Sequence, residues 1–200
     1  MKALAIAVGL ALVATGALGG SNPANKIAIH TKAHPTSCVA SYPGFSSCTD
    51  IEFVWTGVGD VDVMPVFFDL AAYTMTEFGL SWPPGWGSIG WVRCRGDYAV
   101  GSIIYTGDGT AITWGACQQG WSAAPGYGWL TATGAGMVCP IPNPATGDYG
   151  VADCAASPGP YYDYPLVVSC AGISGMIGDD PCRWVDGGLS SWGAIKTIFK

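Results

Sequence analysis

Eight cysteines constrain this chain more than any other feature: Cys38, Cys48, Cys94, Cys117, Cys139, Cys154, Cys170 and Cys182. No two of them stand in the Cys-x-x-Cys spacing that zinc sites use, so their meaning depends on the redox compartment. The front of the chain indicates that compartment. Met1-Lys2 precedes an apolar and small run from Ala3 to Ala17, followed by Leu18-Gly19-Gly20-Ser21. One early positive charge, a short apolar stretch and small residues at its exit make the pattern of a secretory signal peptide. Ala17 and Gly19 suit the two small positions before a cleavage point, which places cleavage after Gly19. Residues 1–19 then form the leader and 20–200 a single secreted domain, destined for the extracellular space, the cell surface or the periplasm. A transmembrane anchor needs about 20 apolar residues. Gly and Ala dilute the end of this run, and no later stretch is long enough, so no membrane span is expected in the mature chain.

In an oxidising compartment the eight cysteines are expected to form four bridges. Local closure would pair them as 38–48, 94–117, 139–154 and 170–182. Trp91-Val92-Arg93-Cys94 and Trp114-Gly115-Ala116-Cys117 echo each other, so a 94–117 bridge would have a tryptophan packed over each end.

Glycine (30 residues) and proline (14) punctuate the chain too often for a long amphipathic helix. Strand-like runs recur instead, at 26–31, 60–73, 75–82, 90–94, 99–105, 111–114, 128–133, 136–140 and 165–170. About nine short β-branched and aromatic segments at this spacing predict an all-β, disulfide-stapled sandwich. Thr106-Gly107-Asp108-Gly109-Thr110 reads as a hairpin tip, and Pro65 should mark an edge strand or bulge. Residues 36–47 and 140–165 read as loops. Ser190-Ser191 caps a short C-terminal helix with Trp192, Ile195, Ile198 and Phe199 on one face.

A net charge of −6 with only 8 Lys and Arg excludes nucleic acid as a partner. Serine-triad chemistry needs a histidine beside the nucleophile. The two histidines, His30 and His34, lie together near the mature N-terminus, and no Gly-x-Ser-x-Gly elbow exists. A glycosidase needs two flanking carboxylates. Of the two glutamates, Glu52 and Glu77, the second lies in an alternating segment where an outward charge is ordinary, and nothing selects a catalytic pair. Asp60 and Asp62, after Gly57 and Gly59, are weak candidates for calcium, as is the Asp179-Asp180 loop; such turn aspartates more commonly bond their own backbone. No other cofactor is expected. Arg95-Gly96-Asp97 spells an adhesion tripeptide that three residues match easily by chance.

The nine tryptophans carry the functional hint. Trp82-Pro83-Pro84-Gly85-Trp86 and Gly120-Trp121 lie in turn contexts, and Tyr161 and Tyr162 in the long proline-rich loop. Exposed aromatic planes stack on sugar rings and anchor protein interfaces. Trp82, Trp86, Trp121, Tyr161 and Tyr162 are therefore the ligand-binding candidates.

The stretch Gly57-Val58-Gly59-Asp60-Val61-Asp62-Val63-Met64-Pro65-Val66, continuing to Trp82, resembles the opening of cohesin-like modules. Those are jelly-roll sandwiches related to bacterial carbohydrate-binding modules. The closing Trp192-Gly193-Ala194-Ile195-Lys196 segment is similar to that of other cysteine-stapled secreted bacterial proteins, a likeness that implies no activity. The resemblance and the tryptophans imply a non-catalytic module that binds a polysaccharide or an extracellular protein. A self-associating surface or filament subunit is the alternative, and a carboxylate-pair glycoside hydrolase the third reading.

Overall fold

The computed structural model describes residues 20–35, 38, 44–57, 59–154 and 162–183. The leader, the expected C-terminal helix and Tyr161 lie outside the described residues. Among the described residues fourteen strands follow one another: β1 (Lys26–Ala33), β2 (Val54–Trp55), β3 (Gly59–Phe68), β4 (Ala72–Ser81), β5 (Gly87–Arg93), β6 (Tyr98–Val100), β7 (Gly109–Gln119), β8 (Ser122–Ala123), β9 (Gly126–Ala132), β10 (Gly136–Ile141), β11 (Gly150–Ala152), β12 (Tyr162–Asp163), β13 (Val167–Ser169) and β14 (Ala171–Ile173). One sheet runs β13-β1-β3-β9-β5, with β8 also pairing β3. The second runs β12-β11-β4-β10-β14-β2, with β7 also pairing β4 and β6 pairing β7.

The core between the sheets explains the sequence pattern. Ile27, Ile29, Val61, Val63 and Phe67 of the first sheet meet Phe78, Leu80, Ile112, Val138 and Val151 of the second. The opposite face of the first sheet is also covered. Ala28, Val66 and Phe68 pack under Phe45 and Ile51, with Trp121 against them. Strands buried on both faces lose polar alternation, which is why 60–73, alternating at its start, becomes almost continuously apolar. The run is in fact two strands. The chain crosses from the first sheet to the second at Asp69-Leu70-Ala71, where Asp69 takes a positive φ of 58°.

Pro65 does not mark an edge, because β3 is a central strand. It sits where β3 has left β9 (last pair Val63↔Gly128) and has not yet met β8 (Phe67↔Ala123). On that side its missing N–H costs no ladder bond. The Asp108 turn exists, with the Asp108 carboxylate accepting the N–H groups of Ile104 and Tyr105 at 3.0 and 2.8 Å. The strand it closes against is β6 rather than 103–105, since Tyr98–Val100 pairs with β7.

The bridges join Cys38–Cys94, Cys48–Cys182, Cys117–Cys154 and Cys139–Cys170. None is a sequential pair, so the local-closure expectation fails. The sheet order sets distant segments side by side, and Cα separations of 4.3 to 5.5 Å suit direct bridging there. With no 94–117 bridge to cover, Trp91 packs instead on Phe78 (5.5 Å between centroids) and Trp114 on Tyr73 (5.1 Å).

His30 gives this fold a predictable acid response. Its ring is buried edge-on to Phe45, and Nδ1 accepts the Glu52 N–H at 2.9 Å. Burial, with Lys32 nearby, lowers its pKa to about 4. The folded value lies below the unfolded one of about 6.5. The stabilisation is therefore complete above pH 6.5 and drains away as the pH falls from there to about 4, a loss of about 3 kcal/mol. Urea midpoints measured across this window should fall in the wild type. His30→Asn, which keeps an acceptor but does not titrate, should flatten the slope.

Candidate functional site

A cavity of about 300 Å³ opens where the start of β4, the end of β7 and the turn into β8 converge. Tyr73, Arg95, Trp114, Gln118 and Trp121 line it, with Phe45 and Ser122 at its edge. Its shape comes from an irregularity in the ladder. Tyr73 pairs with Gln118 and Met75 with Thr113, so β7 bulges opposite Thr74 and carries Trp114, Gly115, Ala116 and Cys117 out of register. Bulges of this kind re-aim side chains beside functional sites.

The bulge is fastened from two directions. The Asp97 N–H donates to the Thr113 carbonyl at 2.8 Å, and the Asp97 carboxylate accepts the Gly115 N–H at 2.5 Å. Cys117 is tied to Cys154. The Arg-Gly-Asp tripeptide therefore has a local job: its aspartate holds the bulge, and its arginine lines the cavity.

Trp121 is equally fixed. Its Nε1–H donates to the Asp69 carboxylate at 2.9 Å, its ring lies tilted on Phe68 at 5.3 Å, and its carbonyl accepts the Leu70 N–H. Asp69 in turn pairs with Lys26, whose ammonium lies over the Phe68 ring. Opposite, the Gln118 amide donates to the Ala116 carbonyl at 2.9 Å. The Tyr73 hydroxyl reaches the Ser122 carbonyl at 3.4 Å. Burial raises the Tyr73 pKa while the Arg95 charge pulls it down, so the phenol stays protonated near neutral pH beside a cation. Among the described residues no carboxylate forms an ion pair with Arg95.

Three of the four bridges abut this rim. Cys94 precedes Arg95, Cys117 precedes Gln118, and Cys48 closes the segment that carries Phe45. Two indoles, a phenol, a guanidinium and a carboxamide are thus held on a braced frame. Such a set stacks on a ring and hydrogen-bonds its substituents.

The other sequence candidates are dispersed. Trp82 and Trp86 are 6% and 9% exposed and belong to the core. Only their edges border a separate cavity of about 400 Å³ beside Tyr105. Trp82 follows the end of β4 far from Tyr73, so it and Trp86 border a different cavity from that of Trp121. The Trp82 indole and that of Trp86 fill the space between the sheets because the flanking turn folds them inward. The Tyr162 hydroxyl instead donates to Glu77.

Asp60 and Asp62 share one face of β3 but already have protein partners. Asp60 accepts the Thr131 hydroxyl at 2.7 Å, and the fully buried Asp62 meets His34 Nδ1 at 3.0 Å. Among the described residues no group of three His, Cys, Asp or Glu side chains is placed to hold a metal. Asp179 accepts the Cys170 N–H and Asp180 the Cys182 N–H, the ordinary work of loop aspartates. A larger cavity of about 600 Å³ lies beside Trp129 and Tyr127. Its histidine, His34, is committed to Asp62 and stacked on Trp129 at 3.7 Å.

Trp114, Tyr73 and Gln118 were not singled out for binding by the sequence, and Arg95 stood out only as part of its tripeptide. The one available signal was the repeated tryptophan–cysteine spacing, since Trp114 and Cys117 frame the bulge. No protein-family model matches the chain, and neither a curated protein nor a solved structure matches it. No helix among the described residues is long and apolar enough to cross a membrane.

Proposed function

We propose that this chain is a secreted, non-catalytic binding module of the jelly-roll sandwich class whose braced cavity takes a sugar unit of an extracellular polysaccharide. One observation carries the reading: Trp114 and Trp121 share a single disulfide-braced cavity with Arg95 and Gln118. The indoles supply apolar faces for a pyranose ring, and Gln118 and Tyr73 supply hydrogen-bonding groups. Among the described residues no carboxylate pairs with the Arg95 guanidinium, on a protein of net charge −6. Arg95 favours a carboxylate-bearing sugar, because a guanidinium binds a carboxylate through two parallel hydrogen bonds.

Tryptophan fluorescence titrated with neutral and uronate oligosaccharides tests this. Wild type should respond to the acidic members. Trp121→Ala should weaken binding on the order of 10- to 100-fold, about 1.4 to 2.8 kcal/mol. Arg95→Gln should erase the preference for acidic over neutral sugars. Absence of any response across the panel would sink the reading.

A specific surface favours self-association as the second reading. Tyr98 and Val100 of the short strand β6 are exposed, and so are Ile104 and Tyr105 that follow. Concentration-dependent assembly without a glycan response would select it.

A further inference from the structure

We infer that Gly20 is held as a free amino terminus: removal of residues 1–19 turns its backbone nitrogen into an α-ammonium ion that pairs with the Asp163 carboxylate. This uses the leader reading and stands apart from the glycan cavity. The Gly20 nitrogen lies 3.0 Å from Asp163 Oδ1, and the Asn22 nitrogen 2.9 Å from Oδ2. Asp163 is only 8% exposed. Among the described residues no Lys, Arg or His forms an ion pair with it. In the uncut chain a buried anion would thus be met here by neutral amide donors, an incompletely compensated charge.

The position of Gly20 is set independently of that contact. The Ser21 N–H donates to Asp153 at 3.1 Å and the Ser21 hydroxyl to the Ala72 carbonyl at 3.1 Å. The Asn22 side chain accepts from Ala71 N–H and donates to the Ala72 carbonyl. Asn25 Nδ2 donates to the Asn22 carbonyl at 2.8 Å. The segment from 20 to 25 is therefore fastened with its first nitrogen aimed at the carboxylate. A Cβ at residue 20 would lie 2.2 Å from Asp163 Oδ2, so glycine lets the carboxylate come this close to the residue 20 nitrogen.

The covalent step is peptide hydrolysis by a leader peptidase. Water adds across the Gly19–Gly20 C–N bond, its oxygen going to the Gly19 carbonyl carbon and a proton to the Gly20 nitrogen. At neutral pH the new Gly19 carboxyl loses its proton and the Gly20 amine gains one. A neutral donor becomes a charged one at the same atom, and charge-assisted hydrogen bonds are about twice as strong as neutral ones.

The exported full-length product, sequenced from its amino terminus, should begin at Gly20. A form beginning at Gly20 should melt about 5 °C above one carrying a single additional glycine, which displaces the charge from Asp163. Asp163→Asn should remove most of that difference. Should Asp163→Asn fail to fold, α-amine acylation provides the second readout. The Gly20 amine should react at least tenfold more slowly than that of the extended form. A mature terminus elsewhere, equal melting of the two forms, or equal acylation rates would overturn the inference.

Discussion

Replacing Cys48 and Cys182 together by serine is expected to remove about 5 kcal/mol of stability, the largest effect of any bridge. Chain entropy grows with the loop a bridge closes, and this one spans a separation of 134 residues. The same reasoning assigns about 4 kcal/mol to Cys139–Cys170, with its separation of 31. Loss of the long bridge has a second consequence. Cys48 opens a single 3-10 turn (Cys48–Asp50) whose Asp50 carboxylate accepts the Ser46 and Ser47 N–H groups. That segment presses Phe45 and Ile51 onto Phe68 and Val66. Freeing it should loosen the outer cluster and one edge of the cavity while the core between the sheets persists. Equilibrium urea unfolding of the two double-serine proteins, compared with wild type, checks both magnitudes. A smaller loss for the 48–182 pair than for the 139–170 pair would contradict the ordering.

Glu77→Ala is expected to cost about 3 kcal/mol or more without touching glycan binding. Glu77 is 4% exposed and is not among the residues that line the cavity. Asn143 Nδ2 and the Thr146 hydroxyl donate to Oε1 at 2.8 and 2.5 Å, and the Tyr162 hydroxyl to Oε2 at 3.1 Å. Burial, with the Glu77 charge beside it, drives the Tyr162 pKa far upward, so the phenol remains a donor at any ordinary pH. The carboxylate thereby gathers the 143–149 turn and β12 onto β4, and its removal leaves the buried Asn143 amide without its acceptor. Thermal unfolding and the fluorescence titration, run on the same variant, separate the roles. A hydrolase using Glu77 would instead show chromogenic glycoside turnover in wild type that vanishes in the variant.

The longer strands were legible, because apolar periodicity and β-branched residues mark them. Each of the nine expected segments overlaps a strand. Those left unmarked are β2, β8, β11, β12 and β14, only two or three residues long and too short to show a period. Topology was not legible. Which cysteine meets which depends on sheet order, and sheet order brings Cys48 to Cys182 across most of the chain. For the same reason Trp82 and Trp86 read as turn residues although their rings point into the core. A turn context describes the backbone, not the direction of an indole. Trp121 could be found because it stands in a turn after Gly120, whose φ is +147°. Trp114 was hidden by a bulge that only strand pairing creates.

In the proposed function, Trp114 and Trp121 form one sugar-binding cavity with Arg95. Two-dimensional NMR of the indole N–H signals during titration with a uronate oligosaccharide tests it most directly. Each of the nine tryptophans carries its own indole N–H. The Trp114 and Trp121 resonances should shift together and saturably, while those of the core residues Trp82 and Trp86 stay in place. Saturable shifts confined to Trp82, Trp86 or Trp129, or no shifts at all, would contradict it.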